Sequence, residues 1–202
     1  AFLARPKKGK KFPAVIVIHE NRGLVPHIQD VTRRMAGEGF LALAPDALSP
    51  LGGTPEDISN VGAMFKQLDS EKTTKNFVAA VKYLKTNPLC TGKVGCTGFC
   101  WGGRVVWMYA AHNPKVKAGV AYYGLLDGMK SDIKPADPVD VGASLKVPVL
   151  GLYAGMDGFV SKPFPEDELL ATLARTVGFR FDFDGDDAAA PAGTRIEEAL
   201  RE

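Results

Sequence analysis

The chain has 202 residues, 46% apolar, 24% charged and 9% aromatic, and its 25 Lys and Arg against 23 Asp and Glu leave a net charge of +2. That length is about one domain's worth and buries a sizeable core, and the composition excludes both a disordered tail and a disulfide-dense miniprotein. So small a charge excess makes no case for a nucleic-acid or anionic-membrane partner, and no apolar run approaches the roughly 18 residues that span a bilayer.

In chain order, Lys7-Lys8-Gly9-Lys10-Lys11 reads as a solvated turn between strands rather than an anion site, because Gly9 sits at its centre and Pro13 opens the next strand. Apolar, β-branched runs predict strands at 14–19, 40–44, 93–97, 117–122, 147–153 and 178–183. Helical periodicity falls at 28–38, 61–69, 72–85, 102–112, 166–176 and 194–202. This alternation predicts an α/β fold: a mainly parallel sheet with helices on both faces. Neither an internal repeat nor a linker interrupts it, so residues 1–202 are expected to form one domain. The connections 45–60 and 124–146 are rich in Gly and Pro, and long loops on a rigid scaffold are where binding groups sit. The N-terminus lacks the basic-then-apolar layout of a signal peptide. Its start at Ala1, without Met, fits a processed or trimmed chain and leaves a removed export signal open. Three cysteines leave at least one thiol outside any intrachain disulfide, which fits a reducing compartment and a cytoplasmic location.

The most specific motif is Val94-Gly95-Cys96-Thr97-Gly98-Phe99-Cys100-Trp101-Gly102-Gly103. A strand, Gly-x-Cys-x-Gly and a helix follow one another, the nucleophile-elbow pattern with Cys in place of Ser. A tight strand-to-helix turn lifts the nucleophile above the sheet, and glycines at 98 and 102 let neighbouring backbone pass. The helix N-terminus favours a thiolate at Cys100, and the amide of Trp101 supplies one oxyanion-hole donor. The plainer alternative is a Gly-rich turn carrying a structural cysteine; the motif's place between strand and helix favours the catalytic reading. Cys90 and Cys96 read as structural, and the three cysteines lack zinc-site spacing.

Val17-Ile18-His19-Glu20-Asn21-Arg22-Gly23-Leu24 with Pro26-His27-Ile28, then Ala42-Leu43-Ala44-Pro45-Asp46, the Gly98–Gly103 elbow and Ala121-Tyr122-Tyr123-Gly124 together resemble the dienelactone hydrolase (carboxymethylenebutenolidase) family of α/β-hydrolases. The resemblance runs in order from about residue 13 to residue 160. It implies an α/β-hydrolase fold and hydrolysis of a small-molecule lactone or activated carboxylic ester, with no metal or organic cofactor. It makes Cys100 the nucleophile, Glu20 the carboxylate that holds the resting thiol, Asn21 the second oxyanion amide and Asp157 the triad acid. Arg22 is an anion-contacting candidate or a surface arginine, and Tyr123 a pocket-lining or a packing residue. Glu20 as a solvated loop acid and Asp157 as a turn residue are the corresponding alternatives. Oligomeric state and natural substrate are not readable.

A triad also needs a base, which in α/β-hydrolases follows the acid. No histidine follows His112. The resemblance puts the base about 31 residues beyond the acid, at Ala188. His112 lies about 18 Å down the elbow helix, at its wrong end. His19 falls in a strand and reads as buried and satisfied, and His27, on the correct rim, is a weak substitute. Asp182, Asp184 and Asp186 mimic the start of a calcium loop, but Asp187 stands where Gly is needed and Gly193 where Glu is needed, so no metal site is expected. Two readings follow: an active hydrolase whose native tail carries a histidine that this sequence does not, or a catalytically impaired or non-catalytic binding protein on the same scaffold. The tail is also electrically distinct, residues 157–202 carrying −6 and residues 1–156 carrying +8.

Overall fold

The apolar run expected at 14–19 forms strand β2 (Phe12–Ile18), which lies in the middle of a six-stranded sheet. Around it, in the order β1-β3-β2-β4-β5-β6, stand β1 (Phe2–Ala4), β3 (Leu41–Ala44), β4 (Cys90–Phe99), β5 (Gly119–Tyr122) and β6 (Val149–Leu152). The computed structural model describes residues 1–113, 115–145 and 147–153, and the elements expected at 166–176, 178–183 and 194–202 lie outside them. The packing divides the chain into a compact unit at Ala1–Gly151 and a second at Leu152–Glu202, of which only Leu152 and Tyr153 are described.

Alternate residues of β2 point to opposite faces, and both faces are covered. Ile16 and Ile18 join Leu41, Leu43, Val94, Phe77 and Val106 in the larger core, while Val15 and Val17 pack with Ile28, Ala42 and Ala44 in a second. Burial on both sides is why the run is continuously apolar rather than alternating, and each such side chain contributes about 1.5–3 kcal/mol. The larger core is roofed by α2 (Val61–Lys66), α3 (Ser70–Thr86) and α4 (Trp101–His112), the second by α1 (Pro26–Gly37).

Element limits differ from expectation for local reasons. α1 starts two residues early because Pro26 is suited to a first helical position. The helix expected at 61–69 stops at Lys66, and the chain turns extended at Asp69, whose carboxylate accepts the Lys72 N–H at 2.8 Å and caps α3. β4 runs through Gly92, Gly95 and Gly98, which break its apolar pattern; its register with β2 shifts across the stretch that holds Gly92 and is regular from Val94 to Gly98. The short edge strand β1, antiparallel to β3, and α5 (Pro138–Val141) carried no readable period.

β2, β3, β4 and β5 are mutually parallel, so their carboxyl ends share one edge of the sheet. The residues just beyond them, His19 and Glu20, Pro45 and Asp46, Cys100, and Tyr123, collect there.

Candidate active site

One residue, Cys100, separates β4 from α4, and it adopts φ 53° and ψ −116°. Its N–H donates to the Tyr122 carbonyl at 3.0 Å, and its own carbonyl accepts the Arg104 N–H at 3.1 Å. The turn is as tight as the glycine spacing predicted. A β-carbon on Gly98 would collide with the backbone of Gly102, and one on Gly102 with the carbonyls of Ile18 and His19. The half-buried Cys100 thus stands at the N-cap of α4, at the end where the helix leaves its first N–H groups free. Cys90 and Cys96 are buried, as expected for structural thiols, and burial pushes the Cys96 thiol up to about 12.

Glu20, two residues past β2, is half-buried and accepts the Tyr123 hydroxyl at 2.9 Å on Oε1. Tyr123 itself holds φ 38°, uncommon outside glycine. Burial first, then the Glu20 carboxylate and the nearby Cys100, raise its phenol above the ordinary value, so it stays a hydrogen-bond donor near neutrality. The structure therefore joins Glu20 and Tyr123 directly, Tyr123 within electrostatic reach of Cys100 and Glu20 on the same edge of the sheet. Asn21 and Arg22 form an exposed turn between Glu20 and Gly23, and His27 is exposed on α1. Half-buried Trp101 packs inward, stacked on His19 at 5.5 Å and edge-on to Phe65 at 5.0 Å. Asp157 and Ala188 lie outside the described residues.

His19 lies one residue past β2 and is fully buried. Ala47 N–H donates to its Nε2 at 3.0 Å, so the ring proton sits on Nδ1 and is donated to the Glu20 carbonyl at 2.7 Å. Desolvation lowers its pKa below 6.5 against the opposing pull of that carbonyl and of Asp46. It is a neutral clamp between the Glu20 loop and the residues after β3, not a base. Asp46 continues the clamp. Its carboxylate accepts N–H groups from Leu48 and Thr54 and the Thr54 hydroxyl, and Thr54 Oγ1 accepts the Leu24 N–H at 2.7 Å. Asp46 stood inside a quoted motif without a role; Thr54 had no signal in the sequence.

Sequence reasoning also passed over Arg104. This arginine is 4% exposed, and its guanidinium pairs with the fully buried Asp137 at 2.5 Å and donates to the Ala136 carbonyl at 2.8 Å. Beside it a cleft of about 410 Å³ runs between α3, α4 and the 129–144 segment, lined by Leu68, Thr73, Trp101, Val105, Met108 and Ile133 among others. Cys100, Glu20 and Tyr123 are not in its wall.

Comparisons with known proteins give the chain's family and fold relatives. The model of the dienelactone hydrolase family matches residues 1–182. A Methylorubrum extorquens protein provisionally named carboxymethylenebutenolidase is 42% identical over 188 residues, 91% of this chain and 64% of its own length. A Bradyrhizobium protein provisionally named 2-oxo-3-(5-oxofuran-2-ylidene)propanoate lactonase is 36% identical over 180 residues, 87% of this chain and 69% of its own. A crystal structure of a Klebsiella pneumoniae protein provisionally named dienelactone hydrolase superposes with a TM-score of 0.69 at 36% identity, covering 86% of this chain and 72% of that one. The chain thus spans less than two thirds of the first of these relatives.

Proposed function

Because the chain belongs to the dienelactone hydrolase family, with its α/β-hydrolase fold, we propose that it hydrolyses a lactone or an activated carboxylic ester through a thioester on Cys100. The observation that carries this is the turn conformation of Cys100, a half-buried thiol held at positive φ on a helix N-terminus with the Glu20–Tyr123 pair on the same sheet edge. Strain at a non-glycine residue persists only where its surroundings impose it, and it clusters at reactive sites.

In this mechanism Glu20 takes the thiol proton as substrate enters, and the thiolate attacks the carbonyl carbon. The amides of Asn21 and Trp101 hold the oxyanion. Collapse breaks the C–O bond and the leaving oxygen takes the proton back from Glu20: an ester releases its alcohol, whereas a lactone opens and keeps the new hydroxyl tethered. Water then cleaves the thioester, returning the thiol. Arg22, exposed two residues beyond Glu20, would meet a carboxylate on the substrate. Asp157 would orient a histidine base, but the position that the resemblance gives to that base is Ala188, so water is poorly activated and deacylation is the slow step.

The absent histidine also favours a second reading, a binding protein that acylates at most once. With a p-nitrophenyl ester, the hydrolase reading expects a burst of one equivalent, continued turnover, and loss of both in Cys100→Ala. The binding reading expects a stalled adduct on Cys100 by mass spectrometry and no turnover. Undiminished turnover in Cys100→Ala removes the assigned nucleophile.

A further inference from the structure

We propose that Arg104 is a positioning residue for the thiol site, holding both ends of the connection that begins at Tyr123. The proposal rests on the reading of Cys100 as nucleophile and names the residue that fixes its neighbours. Arg104 lies in the first turn of α4, and its N–H donates to the Cys100 carbonyl. Its backbone packs so closely on Gly124 that a β-carbon there would run into the Arg104 nitrogen, and a β-carbon on Gly103 would meet the Tyr122 carbonyl. The connection therefore leaves β5 pressed against the elbow helix.

It returns to the same residue. The Arg104 guanidinium donates to the Ala136 carbonyl and pairs with Asp137. Asp137 in turn accepts the Met129 N–H at 3.1 Å and donates its own N–H to Asp140 at 2.8 Å. Burial opposes ionisation of Asp137, but the Met129 amide and the Arg104 charge outweigh it and hold its carboxyl below the ordinary value. Between these anchors Leu125, Leu126, Asp127 and Gly128 are exposed, and the Leu126 carbonyl accepts the Val139 N–H at 3.2 Å, which ties the segment to the residues just after Asp137.

Tyr123 needs an external hold, since its φ of 38° is one a free tyrosine avoids. Its hydroxyl is what meets Glu20. A buried ion pair is a weak source of stability, because an apolar pair of similar volume often serves as well. What the guanidinium adds is direction: a rigid planar fork, one arm donating to the Ala136 carbonyl and the other in ion-pair contact with Asp137 without a hydrogen bond of its own. We assign that fork the task of fixing the height of Tyr123, and through it Glu20, relative to Cys100.

The test compares Arg104→Lys, which keeps the charge but loses the fork, with Arg104→Met/Asp137→Leu, which removes the pair without leaving a buried charge. Both are measured in the full chain for near-UV circular dichroism, ester kcat and KM, and the pH profile of Cys100 alkylation by iodoacetamide. Folded variants are expected to lose kcat by about 10- to 100-fold with KM within about twofold, and to alkylate with a midpoint moved upward, since the Tyr123 hydroxyl is no longer held within reach of Cys100. Parental kcat, a loss confined to KM, or an alkylation midpoint unmoved or lowered overturns the proposal. Should the double variant not fold, Arg104→Lys alone decides by the same outcomes. Cys100→Ala, run alongside, separates the two failures: wild-type turnover there removes the nucleophile, whereas abolished turnover with unaffected Arg104 variants removes only Arg104's role. Alkylation needs no turnover and so also decides in a chain that binds without hydrolysing.

Discussion

Cys100 occupies a conformation that its β-carbon resists, at a cost on the order of 1–3 kcal/mol. Cys100→Gly is therefore expected to raise unfolding free energy by about 1 kcal/mol while removing the thiol, and urea melts of the two proteins check it. Thiol chemistry should separate sharply: because burial pushes Cys96 up to about 12, iodoacetamide at pH 8 should modify Cys100 in the native protein and Cys96 only after unfolding, as read by peptide mapping. His19 gives a pH signature. Its folded pKa lies below 6.5, so the unfolded chain binds the extra proton. Stability is then full above pH 6.5 and falls as pH drops from there towards the folded pKa. Melts at pH 7 and pH 5 should show a larger acid loss in the parent than in His19→Gln. At this scale the sequence spoke where chemistry is local, as in Gly-x-Cys-x-Gly. It was silent where partners are remote: the Tyr123–Glu20 bond spans 103 residues, and the pairing of Arg104 with Asp137 bears on no short motif.

Among elements, the glycines divide by what a methyl group would meet. At Gly98 and Gly102 it would meet backbone, which cannot move aside, whereas at Gly62 inside α2 nothing lies within 4 Å. Gly98→Ala is expected to destabilise by about 2–4 kcal/mol, and Gly62→Ala to stabilise by up to about 1 kcal/mol through helix propensity; thermal melts with opposite signs check the pair. The strands and long helices were legible because burial on one or both faces writes a period into them. Their ends were set by single residues, Pro26 for α1 and Asp69 for α3. A three-residue edge strand such as β1 is too short to show a period at all.

Across the described molecule the charge is unevenly spread. Arg5, Lys7, Lys8, Lys10, Lys11, Lys93 and Lys117, all exposed, gather where the parallel strands begin, opposite the edge that holds Cys100. The +2 total therefore understates the field at that face. On a cation exchanger at pH 7, Lys8→Glu/Lys10→Glu should elute at lower salt than Lys66→Glu/Lys72→Glu, although both change the net charge equally. Composition revealed the basic body and acidic tail, but only the register put the cations on one edge. The same register has a kinetic consequence. Ile18 lies opposite Gly98 in the β2–β4 pairing, so the cysteine turn is held by two segments far apart in the chain, and parallel pairing across such a separation forms late. The native surroundings of the Cys100 thiol should accordingly form only in the final stage of refolding, which makes pulse alkylation of Cys100 a clock for the closing of the sheet.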